Sequence, residues 1–164
     1  MSTAQPGIRR LCVAALTCPP GLLTAVCRLR ASSGLYLSAE VPDGVEMGFA
    51  APGIHEAAVV RWLTWAVAEL CPDRPDAKAP AKLAFHVGIT KVQGEGFGGA
   101  APLRVRALLR DPLIHTAVAG CHRLAVIMSE GLYDDLHTEG LASRDWRRVP
   151  AAGAWVTGRR SPGW

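Results

Sequence analysis

The residues best suited to chemistry are four glycines within a six-residue segment: Gly94, Gly96, Gly98 and Gly99. Three of them fit the spacing G-x-G-x-x-G, in which the backbone can approach a phosphate because no side chain intervenes. A dinucleotide site of this type also needs an acidic residue about 20 positions further on, and Glu130 lies too far along the chain to supply it. Two interpretations stay open: a phosphate-facing loop formed by these glycines, and a glycine-rich hairpin or turn without a ligand.

The histidines, cysteines and serines give little support for nucleophilic or metal chemistry. His115 and His122 are seven residues apart, which is not a metal-ligand spacing. The five cysteines contain no C-x-x-C pair, so we expect buried, reduced thiols. We expect His86 to be a packed or hydrogen-bonded histidine of a strand. Ser129 lacks a G-x-S-x-G context and is predicted to cap a helix.

Composition places the chain among globular proteins of a reducing compartment. Of its 164 residues, 20% are charged and 49% are hydrophobic, which suits one domain with its own core. The net charge of +4 comes from arginines scattered along the chain with few aromatic residues among them, a pattern that does not favour nucleic-acid binding. Residues 1–10 are polar and no apolar run reaches membrane-spanning length, so we expect a cytoplasmic protein without a membrane partner.

Hydrophobic periodicity and turn residues predict the elements that must position these side chains. The predicted strands cover 8–17, 35–41, 45–50, 82–92, 123–129, 146–149 and 154–157, and the predicted helices cover 21–30, 54–71, 102–118 and 130–138. Asp111 and Pro112 are expected to divide the third helix. Trp62 and Trp65 lie three residues apart on the second helix, where they form either core or a partner-facing patch.

The order of these elements favours an α+β fold with a ferredoxin-like sheet. Two β-α-β-like units surround a hairpin, which suits a mostly antiparallel sheet with helices packed on one face. The predicted domain covers 8–157. Residues 158–164 form a basic tail that we expect to be frayed.

Four motifs in this order resemble the class III nucleotidyl cyclase domains of bacteria. The segment 43–45 (DGV) is similar to the family's G-D-G turn, and 85–89 (FHVGI) resembles its HxG strand. The segment 96–112 resembles the glycine turn and the helix that ends in RLLDxP. The segment 125–136 (AVIMSEGLYDDL) resembles LIVSDxLYEDV, and the resemblance covers most of 8–157.

The resemblance implies two metal-binding aspartates, one on the first strand and one in the hairpin. They hold two cations that clamp a nucleoside triphosphate and activate the ribose 3′-hydroxyl. Asp43 matches the hairpin position. The first-strand position falls at Ala15 or Leu16, and neither Asp nor Glu occurs between residues 8 and 18.

The resemblance also implies an Asn and, four residues later, an Arg on the helix after the glycines, where they position ribose and stabilise phosphate charge. Alignment on the end of that helix puts Leu103 at the Asn position and Ala107 at the Arg position. Arg104 and Arg106 lie one residue away, and a one-residue shift rotates a helical side chain by about 100°. They are therefore vestigial catalytic candidates.

These departures predict a catalytically degenerate cyclase homologue that is not an enzyme. It would act as a regulatory or protein-interaction module in bacterial signalling, with no cofactor. The resemblance implies pairing with a second copy or with another protein. The hairpin 35–50 and the helix that carries Trp62 and Trp65 would be the contact elements.

Two alternatives stay open. One is an active or partner-completed cyclase that uses Mg²⁺, Asp43, a displaced acid and either Arg104 or Arg106. The other is a sensor that binds a nucleotide or small ligand through residues 94–99.

Overall fold

The computed structural model describes residues 7–18, 36–40, 45–51, 55–71, 80–93, 96–121, 123–140 and 145–158. The strands are β1 (Gly7–Cys18), β2 (Tyr36–Glu40), β3 (Val45–Ala51), β4 (Ala81–Gln93), β5 (Gly96–Gly98), β6 (Leu124–Ser129), β7 (Arg147–Val149) and β8 (Ala154–Thr157). The α-helices are α1 (Glu56–Leu70), α2 (Ala100–Arg110), α3 (Pro112–Ala117) and α4 (Glu130–Thr138), and a 3₁₀ turn covers Pro150–Ala152. The predicted helix 21–30 and the tail beyond Gly158 lie outside the described residues.

The described strands form one sheet in the order β2-β3-β1-β4-β6-β8-β7, with β5 paired to β4. The pairing of β4 with β6 at the centre is parallel, and the chain between these strands passes through β5, α2 and α3. Such a crossover is required because parallel neighbours cannot be joined by a tight hairpin. The sheet is therefore mixed, which corrects the mostly antiparallel sheet predicted from the sequence.

Helices cover both faces of this sheet, which corrects the prediction that they pack on one face. On the face that we call the α1 face, α1 and α4 pack on alternate strand residues. Its core includes Cys12, Ala14, Leu16, Leu83, Phe85, Val126, Met128, Val59, Leu63, Val67, Leu132 and Leu136. On the opposite, α2 face, the core includes Leu11, Val13, Ala15, Ala84, Ala125, Ile127, Val105, Leu108, Leu109 and Ile114. Successive residues of a strand point to opposite faces, so the uninterrupted apolar runs of β1 and β6 serve both cores.

Local sequence explains where two helices begin. The side chain of His55 accepts a hydrogen bond from the Ala57 amide at the start of α1. Asp111 ends α2 and caps α3, because its carboxylate accepts a hydrogen bond of 2.8 Å from the Leu113 amide. The predicted division of the third helix at Asp111 and Pro112 is confirmed. Among the described helices, none is long and apolar enough to cross a membrane.

Candidate functional site

The position that would carry the first metal-binding acid is buried within β1. Residues 11–16 are each at most 5% exposed. Leu16 lies in the core of the α1 face and Ala15 in the core of the α2 face. Their backbone partners on β3 and β4 carry no charge: Gly48 and Ala84 for Ala15, Met47 and Leu83 for Leu16. Both sides of this strand are therefore used for apolar packing.

The two positions on α2 that match the family's Asn and Arg face solvent. Leu103 is 65% exposed, and Ala107, one turn later, is also exposed. The buried residues of the helix lie on the opposite side and include Val105 and Leu108. At these two positions α2 therefore presents apolar side chains to solvent, whereas the resemblance implies an amide and a guanidinium there.

Arg104 is engaged with the backbone of the chain itself. Its guanidinium donates a hydrogen bond of 2.8 Å to the Ala152 carbonyl and a longer one of 3.4 Å to the Gly153 carbonyl. These contacts join α2 to the connection between β7 and β8. Arg106, the other vestigial candidate, is half-buried on the same helix.

The glycine segment continues into a hairpin and then into α2. Gly96 pairs with Gln93 and Gly98 pairs with Lys91, so these backbones are used in β4–β5 pairing. Gly99 begins α2 with φ of 105°, a conformation that side chains with a Cβ rarely adopt. The described part of the segment forms a β-hairpin with β4, whereas Gly94 lies outside the described residues.

His86 and Ser129 join the two parallel central strands. His86 Nδ1 and Ser129 Oγ are 2.8 Å apart, which confirms the hydrogen-bonded histidine expected from the sequence. Ser129 occupies the predicted N-cap position of α4, but its hydroxyl makes no capping hydrogen bond there. Burial lowers the pKa of His86, and the guanidinium groups of Arg104 and Arg10 lower it further. Because Ser129 is only 4% exposed, the pair ties β4 to β6 and does not present a nucleophile to solvent.

A cleft of about 380 Å³ opens on the α1 face between the start of α1, the second half of α4 and β1. Its apolar lining is formed by Leu132 and Leu136, which are buried. Its ionisable lining consists of Arg10, His55, Glu56, Asp135 and Glu139. Sequence reasoning missed this cleft because its walls come from three distant segments and no local motif links them.

The two tryptophans of α1 have different environments. Trp62 is partly buried and packs against the core of the α1 face, whereas Trp65 is 58% exposed. The core interpretation therefore applies to Trp62, whereas the partner-facing interpretation stays a prediction for the exposed Trp65. Elsewhere on this face, the ring of Tyr133 stacks on Trp155 with centroids 3.9 Å apart.

Cys12, Cys71 and Cys121 are buried free thiols. Burial raises the pKa of Cys12 to about 12, with a further contribution from the charge of Glu56. Burial also raises the pKa of Cys71 to about 11, against the opposing effect of Arg123. A thiol with so high a pKa is a poor nucleophile at neutral pH, because the thiolate is the reactive form.

Asp43, the predicted metal ligand of the hairpin turn, lies outside the described residues. Within the part of the chain that the structure covers, no group of three or more His, Cys, Asp or Glu side chains is arranged to hold a metal ion. Comparison of the chain with protein-family models, curated proteins and solved structures gives no significant match.

Proposed function

We propose that this chain is a catalytically degenerate homologue of the class III nucleotidyl cyclases and acts as a regulatory or protein-interaction module. The observation that carries the proposal is the burial of β1. Ala15 and Leu16, which match the family's first metal-binding acid, are 2% and 0% exposed in apolar surroundings. Two-metal phosphoryl chemistry needs carboxylate oxygens on the cations, and neither side chain supplies one.

The topology of the first strands supports the cyclase-type part of this proposal. A hairpin of β2 and β3 lies beside β1, and α1 leads from it to β4 on the other side of β1. All pairings among these four strands are antiparallel. This arrangement is compatible with a ferredoxin-like sheet, to which β6, β8 and β7 add a second half.

The state of α2 supports the loss of catalysis. Catalysis of phosphoryl transfer depends on charged groups directed at the phosphate oxygens. Leu103 and Ala107 offer no such group, and Arg104 already donates to the Ala152 carbonyl. Redirecting Arg104 would release its contact with the β7–β8 connection, so its role in this chain is structural.

The exposed indole of Trp65 supports an interaction surface on α1. Tryptophan is enriched among the residues that contribute most to protein–protein binding, because it buries a large rigid ring. Trp65 is 58% exposed, whereas Arg61 and Glu69 on the same helix are exposed polar neighbours. We assign the partner-facing patch to this side of α1.

Two measurements on the full chain test the proposal together. With ATP or GTP and either Mg²⁺ or Mn²⁺, the pure protein is expected to form no cyclic nucleotide. Association is measured by sedimentation velocity of the pure chain and by quantitative capture of partners from the native cell. Trp65→Ser should weaken one of these associations at least about tenfold, since a tryptophan at the centre of an interface contributes about 2 kcal/mol or more. The matched control Glu69→Gln should leave both unchanged. Equal behaviour of the two variants, or metal-dependent turnover, would contradict the proposal.

A second candidate function is a working or partner-completed cyclase, and the backbone register of the hairpin favours it. Glu46 pairs with Glu40 on β2 and with Thr17 near the end of β1, which makes Glu46 a candidate for the displaced acid. This candidate predicts Mg²⁺-dependent cyclic nucleotide formation that is lost in both Asp43→Ala and Glu46→Gln. Binding of ATP or GTP without turnover, followed by tryptophan fluorescence, would instead indicate a nucleotide sensor.

A further inference from the structure

The cleft on the α1 face carries an excess of negative charge in a chain whose net charge is +4. Its carboxylates belong to Glu56, Asp135 and Glu139, and its guanidinium belongs to Arg10. His55 accepts a hydrogen bond at Nδ1 from the Ala57 amide, and it is counted without charge here, as histidine is in the net charge of +4. Among the described residues, three carboxylates against one guanidinium leave two negative charges without compensation inside the cleft.

The ion pairs already present in the cleft are weak. Arg10 and Asp135 are 3.7 Å apart, and each side chain is 64% exposed. Such exposed pairs contribute about 0–1 kcal/mol. The second contact joins His55 Nε2 to a carboxylate oxygen of Glu139 at 3.5 Å. Both carboxylates can therefore bind another cation, because a better-placed cation can replace Arg10 or His55 at little cost in free energy.

Glu56 is the carboxylate with the least compensation. It is half-buried at the start of α1 and makes no ion pair with any of the described residues. Its charge acts on the buried thiol of Cys12 below, where it adds to the effect of burial in raising the pKa of that thiol. A partly buried carboxylate without a partner favours any cation that can reach it.

We propose that this cleft binds an organic cation, namely an ammonium or guanidinium group on a short aliphatic stem. The stem would pack on Leu132 and Leu136, and the charged head would lie among Glu56, Asp135 and Glu139. A volume of about 380 Å³ is within the size of small-ligand sites. The cation can be a free amine or a basic side chain of a protein, since both present the same group. The proposal is independent of whether the chain retains or has lost cyclase activity.

The test compares n-butylguanidinium with its neutral analogue n-butylurea, using backbone amide chemical shifts of the isotope-labelled full chain. The cation is expected to bind with a dissociation constant of about 1 mM or below, and its shifts should centre on the first turn of α1 and the second half of α4. A blocked tripeptide with a central arginine forms the second arm. If the tripeptide binds more tightly than n-butylguanidinium, the natural ligand is a basic side chain of a protein. If the tripeptide does not bind, the natural ligand is a free organic cation.

Variants separate a real site from general surface charge. Glu56→Gln and Asp135→Asn should each weaken binding about fivefold, whereas Asp134→Asn, an equal charge change at an exposed neighbour outside the cleft, should leave it unchanged. Arg10→Gln should tighten binding, because it frees Asp135 and removes a repelling charge, and a merely damaged fold would not do this. Three results would overturn the proposal. They are amide shifts with n-butylurea as large as those with n-butylguanidinium, a loss of affinity in Asp134→Asn equal to that in Asp135→Asn, and no localised amide shift at a ligand concentration about 20-fold above the expected dissociation constant.

Discussion

Introducing an acid on β1, at the position where the proposed cyclase homology implies a metal ligand, tests whether this scaffold is compatible with two-metal chemistry. Leu16→Asp places a carboxyl group at a site that is 0% exposed in the core of the α1 face. The loss of a fully buried leucine costs about 1.5–3 kcal/mol of transfer free energy. A buried polar group without a partner costs about 1–3 kcal/mol more. The expected loss of about 2.5–6 kcal/mol reaches the lower range of the whole free energy of unfolding of a small domain.

Leu16→Asn is the matched control, because it has nearly the same shape and cannot ionise. Burial raises the pKa of a carboxyl group, so the introduced aspartate would bind more protons in the folded variant than in the unfolded chain. The free energy of unfolding of Leu16→Asp should therefore rise as the pH falls from about 8 to about 5. The rise is about 1.4 kcal/mol for each pH unit between the raised pKa of the introduced carboxyl group and about pH 5. Leu16→Asn should not show this rise.

Urea unfolding followed by tryptophan fluorescence at both pH values measures these differences, with and without Mg²⁺. A wild-type free energy of unfolding for Leu16→Asp would refute the reasoning. A selective recovery of its stability on addition of Mg²⁺ would also refute it, because a second ligand would then lie close enough to hold the cation with the introduced carboxylate.

Three further outcomes are expected. The wild-type protein should lose stability as the pH falls below about 6.5, because burial and nearby guanidinium groups lower the pKa of His86 in the fold and the unfolded state then binds more protons. Urea midpoints from about pH 7.5 to about pH 5.5 measure this, and His86→Gln should reduce the dependence. Gly99→Ala should cost about 1–3 kcal/mol of unfolding free energy because of its φ of 105°. Gly98→Ala, where an added Cβ meets nothing within 4 Å, should cost less in the same urea titration. In native protein, Cys12 and Cys71 should resist alkylation because their pKa values are about 12 and 11. Labelling at about pH 7.5 read by peptide mass spectrometry, with urea-unfolded protein as control, would contradict this if either thiol reacted at the unfolded rate.

Elements with strong local patterns were predicted well from the sequence. Helix α1 was expected over 54–71 and covers Glu56–Leu70, because its apolar residues recur at helical spacing. Strand β8 was expected over 154–157 and covers Ala154–Thr157. The helix break at Asp111 was predicted because a proline disfavours helical backbone in the residue before it.

Features that depend on distant segments were not predicted. The parallel pairing of β4 with β6 is set by long-range packing, and no local pattern distinguishes it from an antiparallel pairing. Helices on both faces follow from strand segments that are apolar at every position, namely 11–16 in β1 and 124–128 in β6, because such segments need cover on both faces. Ser129 also shows that a local pattern can fail to predict a long-range contact. Its hydroxyl can accept a hydrogen bond from a backbone amide at the start of α4, or it can bond to a side chain on another strand. The local choice is the start of α4, whereas the observed partner is His86, 43 residues away.

The proposed homology implies that a cyclase-type scaffold persists here without its catalytic groups, and the same competition between partners gives a physical reason. The centre of this sheet is held by contacts within the chain itself. They are the apolar packing of β1, the His86–Ser129 pair and the Arg104 contact with the Ala152 carbonyl. Replacing a buried acid with leucine removes the cost of burying its charge and adds apolar contact, so loss of the metal site would stabilise the fold. Stability alone therefore favours the apolar strand. An exposed Trp65, and a Glu56 that makes no ion pair with the described residues, have no comparable benefit for folding. These two positions, and not the buried strand β1, are therefore where binding should be sought.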